Sequence, residues 1–266
     1  MRLSVLDDGH RTRARMFLRL TSKDAPDIVR MLLYRPDFFS RPLLALTAGA
    51  MRGPSYWTAG EREYLAMATA KRHRCPFCVD SHTELVRIAS DDTLDPADPA
   101  TFRPELLAVQ RFLDTGAQAA GVPAPAVAEA LRIRIIWDVV NRLANAFGFE
   151  LRGDQLHTGT RALHRFGYRF PGFLLAGGEK PDLGDPVEDL RHAVFAAPAR
   201  TSPERRVAAA TGTLDEPWQT YTALVRDASY RITDADITRL DATEDEVYEL
   251  TVAAAVGAAL KAYDAG

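Results

Sequence analysis

Cysteine is nearly absent from this chain of 266 residues: there are two, Cys75 and Cys78. A secreted disulfide scaffold spreads several cysteines along the chain to tie distant loops together, so that class is a poor match. Positive charge is not in surplus either. Lys plus Arg number 33 against 36 Asp plus Glu, a formal charge of -3, and no basic stripe marks nucleic acid as a main partner. Arg2, Arg11, Arg13, Arg15 and Arg19 crowd the N-terminus, but Asp7 and Asp8 interrupt them and no apolar stretch follows, so no secretory signal is expected. No apolar run approaches the ~20 residues a membrane helix needs. Alternating β-branched runs bounded by turns are missing as well, which argues against a sheet. The expectation is a soluble, cytoplasmic, all-α protein. Its 47% hydrophobic content is enough for one large core or two modest ones.

What is present is helical periodicity. Residues 26–51 carry a helical pattern broken near Pro36 and Pro42. Thr58 fits an N-cap and Glu61 its reciprocal partner, opening a helix to about Arg72 that buries Tyr64, Leu65 and Ala68. A second helix starts at Cys75, with Pro76 in the first-turn slot that proline tolerates. Further helices are expected near 103–116, 124–148, 154–165, 187–198, 203–211, 216–230 and 244–263, with a second capping signature from Thr233 to Asp236. Val127, Leu131, Ile135, Val139, Leu143 and Phe147 recur every fourth residue and mark the strongest amphipathic face. Glycine and proline cluster in 166–186, where a linker is expected between residues 1–165 and a C-terminal helical domain, 187–266. The helix pattern of 103–150 recurs weakly in 216–264, so the second domain reads as a degenerate repeat without cysteines.

The chemistry concentrates at the cysteines. On a helix Cys75, Cys78 and His82 stand at i, i+3 and i+7 and share one face. Neighbouring turns bring Cα atoms to ~5–6 Å, inside the range a disulfide spans. Such a pair closes a loop too small to stabilise a fold, and it suits reversible redox work. A helix N-terminus favours the thiolate, and Lys71, Arg72, His73 and Arg74 add positive charge nearby. His82 lies one turn beyond Cys78, placed to exchange a proton with that sulfur. A structural zinc site needs four ligands, and Cys75, Cys78 and His82 with Glu63 or His73 form an atypical set, so no metal is expected. A thioredoxin-type pair follows a strand, and none is read here. His157, His164 and His192 are isolated, and Trp57, Trp137 and Trp218 read as core or interface anchors.

Glu63, followed twelve positions later by Cys75-Pro76-Phe77-Cys78-Val79-Asp80-Ser81-His82, resembles the signature of the AhpD-like alkylhydroperoxidase group of the carboxymuconolactone decarboxylase superfamily. Arg62-Glu63 in an alanine-containing helix and Val140 to Ala146 in a later one agree, and the similarity covers roughly residues 25–150. Phe77 stands where some members carry a histidine. The resemblance implies an all-α AhpD-like fold, two tandem units with the site in the first, and a thiol-dependent peroxidase without a cofactor. It implies that Cys78 attacks the hydroperoxide, that Cys75 resolves the sulfenic acid as a disulfide, and that Glu63 and His82 relay protons. Glu63 then acts as the base, with burial raising its pKa. The resemblance further implies a dithiol reductant such as a lipoyl-carrying adaptor protein, and a homo-oligomer. Two alternatives stay open: a lactone-processing enzyme on the same fold, and a non-enzymatic redox-sensing module.

Overall fold

The computed structural model describes residues 1–21, 25–177 and 182–265. Among these residues the regular structure is helical throughout, and no strand is present. The N-terminal part comprises α1 (Val5–Asp8), α2 (Thr12–Thr21), α3 (Asp27–Tyr34) and α4 (Arg41–Arg52). Then come α5 (Ala59–Arg72), α6 (Pro76–Ala89), α7 (Pro104–Thr115), α8 (Ala124–Phe147) and α9 (Gln155–Phe166). The C-terminal part holds α10 (Pro186–Phe195), α11 (Pro203–Thr211), α12 (Trp218–Asp227), α13 (Asp234–Thr238) and α14 (Glu244–Asp264). Among the described residues, no helix is long and apolar enough to cross a membrane.

Local chemistry explains most of the boundaries. Arg35, kept out of the helical region ahead of Pro36 (φ -136°, ψ 75°), ends α3, and a π-helical turn over Pro36–Ser40 follows. Pro42 does not break the chain as expected. It occupies the first turn of α4, where the missing N–H has no helical partner to lose. The Thr58 cap forms in full: Thr58 Oγ1 accepts from the Glu61 N–H at 3.3 Å, and Glu61 accepts from the Thr58 N–H at 2.8 Å. The helix expected over 216–230 stops at Asp227, and a 3₁₀ turn takes Ser229–Arg231. The two N-terminal helices α1 and α2 had no counterpart in the sequence reading.

The most extensive helix packing involves α5, α6, α8, α11 and α14. α5 packs along α6 and against α8, and α14 packs along both α8 and α11. Gly60 lets α5 approach the end of α6, since a Cβ there would come within 2.7 Å of the Ser90 Cβ. The sequence reading gave α5 one buried side, whereas nearly the whole helix is buried, including Glu61, Arg62 and Glu63 in succession. Three consecutive charged residues tolerate burial because each finds partners. Glu61 accepts from Arg103, and the Arg62 guanidinium donates to the carbonyls of Ala50 and Gly53.

One hydrophobic core takes in residues from both sides of 166–186, among them Leu65, Ile136, Val225 and Leu250. A satellite of Ala14, Leu18, Ala25, Leu33 and Leu174 holds α2 to the body. Within the expected linker, Gly172–Leu174 forms a 3₁₀ turn and Leu174 and Tyr168 are buried. Gly178 and Pro181, two residues counted toward that linker, lie outside the described residues.

Candidate active site

Four elements converge on one buried carboxylate. Glu63 projects from the second turn of α5 and is fully buried. Arg52, the last residue of α4, places Nη2 2.5 Å from Glu63 Oε1. His82, from the middle of α6, brings Nδ1 to 2.8 Å from Glu63 Oε2. Tyr168, just past the end of α9, donates its hydroxyl at 2.9 Å to both carboxylate oxygens. Trp137 of α8 covers the imidazole edge-to-face, its ring centroid 4.0 Å from that of His82. The indole N–H points to the sulfur of Met51 at 3.4 Å.

The dithiol lies on the same helix as His82. Cys75 is the N-cap of α6, with its N–H on the Ala70 carbonyl at 3.1 Å, and its thiol caps nothing. Cys78 follows within the first turn, and both cysteines are reduced and buried. Arg74, immediately before Cys75, turns the chain through a left-handed conformation (φ 51°) that non-glycine residues rarely adopt. Phe77 packs edge-on against Phe149, with ring centroids 5.5 Å apart. All four residues singled out from the sequence, Glu63, Cys75, Cys78 and His82, are buried, and Glu63 and His82 are hydrogen-bonded across the packed α5–α6 pair.

The electrostatics differ from the sequence reading in three respects. Burial opposes ionisation of Glu63, but the His82 hydrogen bond and the Arg52 guanidinium outweigh it, holding the carboxyl below its ordinary range. Glu63 is thus an ionised acceptor and not a base with a raised pKa. Burial, and then the adjoining Cys75 thiol, push the Cys78 thiol well above its ordinary value, against the thiolate that a helix N-terminus favours. The positive charge expected near the thiols is committed elsewhere. Arg72 and His73 both hold Asp138, at 3.1 and 2.6 Å, and the Arg74 guanidinium stacks on the Tyr230 ring at 4.6 Å.

These protonation states give the site a definite polarity. Burial and the Glu63 charge keep Tyr168 a neutral phenol, so it donates. With the carboxylate ionised, the imidazole Nδ1–H points to Glu63 and Nε2 is left as the basic nitrogen. A proton taken by Nε2 would make an imidazolium that the carboxylate stabilises. The pair is therefore suited to draw a proton from an acidic group one helical turn away, where Cys78 stands.

Sequence reasoning missed Arg52, Tyr168 and the site role of Trp137. Arg52 and Tyr168 bear no fixed spacing to the cysteines, and Tyr168 falls beyond the region that carries the resemblance. The one local signal is Gly167, which ends α9 in a left-handed conformation and turns the chain toward the site. His157 and His164 are exposed, as their isolation suggested. A cleft of about 270 Å³ lies elsewhere, lined by Arg11, Arg13, Leu33, Pro36, Phe173 and Leu174 among others. Among the described residues, no cluster of His, Cys, Asp and Glu is arranged to hold a metal ion. In comparisons with known proteins, no family model, no curated protein and no solved structure matches this chain.

Proposed function

We propose that this chain is a thiol-dependent peroxidase that reduces organic hydroperoxides through a Cys75/Cys78 dithiol–disulfide cycle. One observation carries the reading: a dithiol at the start of α6 shares that helix with His82, whose Nδ1 lies 2.8 Å from a buried, ionised carboxylate. A carboxylate–imidazole pair beside a thiol is the arrangement that makes a nucleophile out of a buried, weakly acidic sulfur.

His82 Nε2 takes the Cys78 proton, and the thiolate attacks one oxygen of the hydroperoxide. The O–O bond breaks, the alcohol leaves with the proton returned by His82, and Cys78 becomes a sulfenic acid. Cys75 then attacks that sulfur, its own proton leaving with the hydroxide as water, and the disulfide forms. An external dithiol restores both thiols by exchange. The assignment of Cys78 as attacker and Cys75 as exchange point rests on the resemblance. So does the finer description of the fold as an AhpD-like unit followed by a degenerate copy.

The test is a thiol titration before and after one equivalent of an organic hydroperoxide, with the linkage mapped by mass spectrometry. Loss of two thiols per chain and a Cys75–Cys78 disulfide are expected, and Cys78→Ser abolishes peroxide consumption. Full consumption by Cys78→Ser would falsify the proposal. Activity indifferent to thiol alkylation favours the lactone-processing alternative. A change of oligomeric mass on oxidation without turnover favours the redox sensor.

A further inference from the structure

Glu63 has more donors than a relay with His82 requires. Arg52 alone balances its charge, yet Tyr168 adds a hydroxyl 2.9 Å from each oxygen. The chain goes to some length to bring it there. Gly167 and Tyr168 are consecutive left-handed residues, with φ 59° and 63°. Glycine adopts that conformation freely, but tyrosine does so at an energetic cost that only surrounding structure sustains. The surroundings are evident: the Arg52 guanidinium lies 5.1 Å over the phenol ring, and the Trp137 ring centroid is 5.9 Å away. Packing alone would be met by phenylalanine. The phenol oxygen donates to Glu63 and is shared with the Arg52 guanidinium, so all its polar partners belong to the carboxylate cluster.

We propose that Tyr168 is a positioning residue of the dithiol site: its hydroxyl, with Arg52, fixes the Glu63 carboxylate against His82, so the turn after α9 governs the reactivity of Cys78. A carboxylate held by Arg52 alone is free to rotate onto that single partner. Three donors from three elements leave it one orientation, with Oε2 on the imidazole Nδ1. That orientation selects the tautomer whose Nε2 is basic. Tyr168 touches neither thiol by any hydrogen bond and acts through Glu63. This inference rests on the reading of Cys75 and Cys78 as reactive thiols, but it does not require that hydroperoxide be the substrate.

The experiment follows Cys78 alkylation by iodoacetamide as a function of pH in the full chain, read by peptide mass spectrometry. Tyr168→Phe is expected to slow alkylation near neutral pH about tenfold, the worth of one hydrogen bond to a charged group, and to move the pH midpoint upward. Glu63→Gln slows it further, and the double variant is no slower than Glu63→Gln alone, because Tyr168 has nothing left to position. A wild-type midpoint in Tyr168→Phe, or an additive double variant, overturns the proposal. Should Tyr168→Phe not fold, Gly167→Ala strains the delivering turn while keeping the hydroxyl; an upward midpoint supports the proposal and an unmoved one overturns it. Peroxide turnover is measured in parallel. Its absence in the wild type, with the alkylation shift intact, removes the peroxidase reading and leaves the role of Tyr168 standing.

Discussion

Glu63 and Glu249 are two fully buried carboxylates on two central helices, and each is paired with an arginine. In both, burial opposes ionisation and the partners overcome it, so both acids are held below their ordinary range. The remaining partners differ. Glu249 accepts from the backbone N–H groups of Arg200 and Thr201 at 2.9 and 2.7 Å and from the Thr201 hydroxyl at 2.5 Å. None of these exchanges a proton near neutral pH, so that carboxylate ties the 196–202 loop to α14. Glu63 has an imidazole among its partners, and the imidazole shares a helix with two thiols. Burial and charge are alike in the two places; the capacity for chemistry lies in one ring.

Substituting each acid separates the two roles. Glu63→Gln is expected to lower the rate of Cys78 oxidation by two orders of magnitude or more, within the usual range for loss of general acid–base assistance. Glu249→Gln should leave the rate per folded molecule within about twofold while lowering stability by ~3 kcal/mol, because it removes the charge paired with Arg35 and turns one accepting oxygen into an amide donor facing a backbone N–H. Stopped-flow oxidation and urea unfolding on both variants decide the matter. Equal rate losses would erase the distinction.

Acid sharpens the comparison less strongly. Both folded-state pKa values lie below the ordinary 4.5, so the stability these acids supply is present above that value and is lost as pH falls through the folded pKa. His73 adds a separate effect at higher pH. Burial lowers its pKa from 6.5, the folded state prefers the neutral ring, and stability declines as pH drops below 6.5. Urea midpoints between pH 8 and pH 2 should therefore fall in two stages. His73→Gln should shrink the first stage, to which buried His10 contributes in the same sense, and leave the second.

The smallest contrast concerns the helix caps. Thr58 opens the helix that carries Glu63, and Thr243 opens the helix that carries Glu249. Replacing either with alanine should cost ~1 kcal/mol of stability, measured by chemical denaturation. Only Thr58→Ala should also slow thiol oxidation, since Glu63 lies five residues from that cap.

The helical class and the position of the site were legible because both depend on short-range spacing. Thr58 with Glu61 and Pro76 at a first turn are patterns within a few residues, and each has its structural counterpart, while Cys75 stands just outside the helix as its N-cap. The rest depended on contacts across the chain. Arg52 reaches Glu63 from the end of another helix, and Tyr168 does so across 105 positions. The charge around the thiols was misjudged for the same reason. Arg72 and His73 adjoin the cysteines in sequence, but Asp138, 66 and 65 positions away, claims them in space. The sequence also assigned Glu63 a raised pKa from burial alone, and burial is only one of the opposing influences once partners arrive.

Trp137 stands with its indole edge-to-face on the His82 imidazole, and among the described residues no other tryptophan ring contacts a histidine. An imidazolium quenches indole emission far more strongly than a neutral imidazole does. Trp137 emission therefore reports whether His82 carries a proton, and a fluorimeter reads that charge without a label.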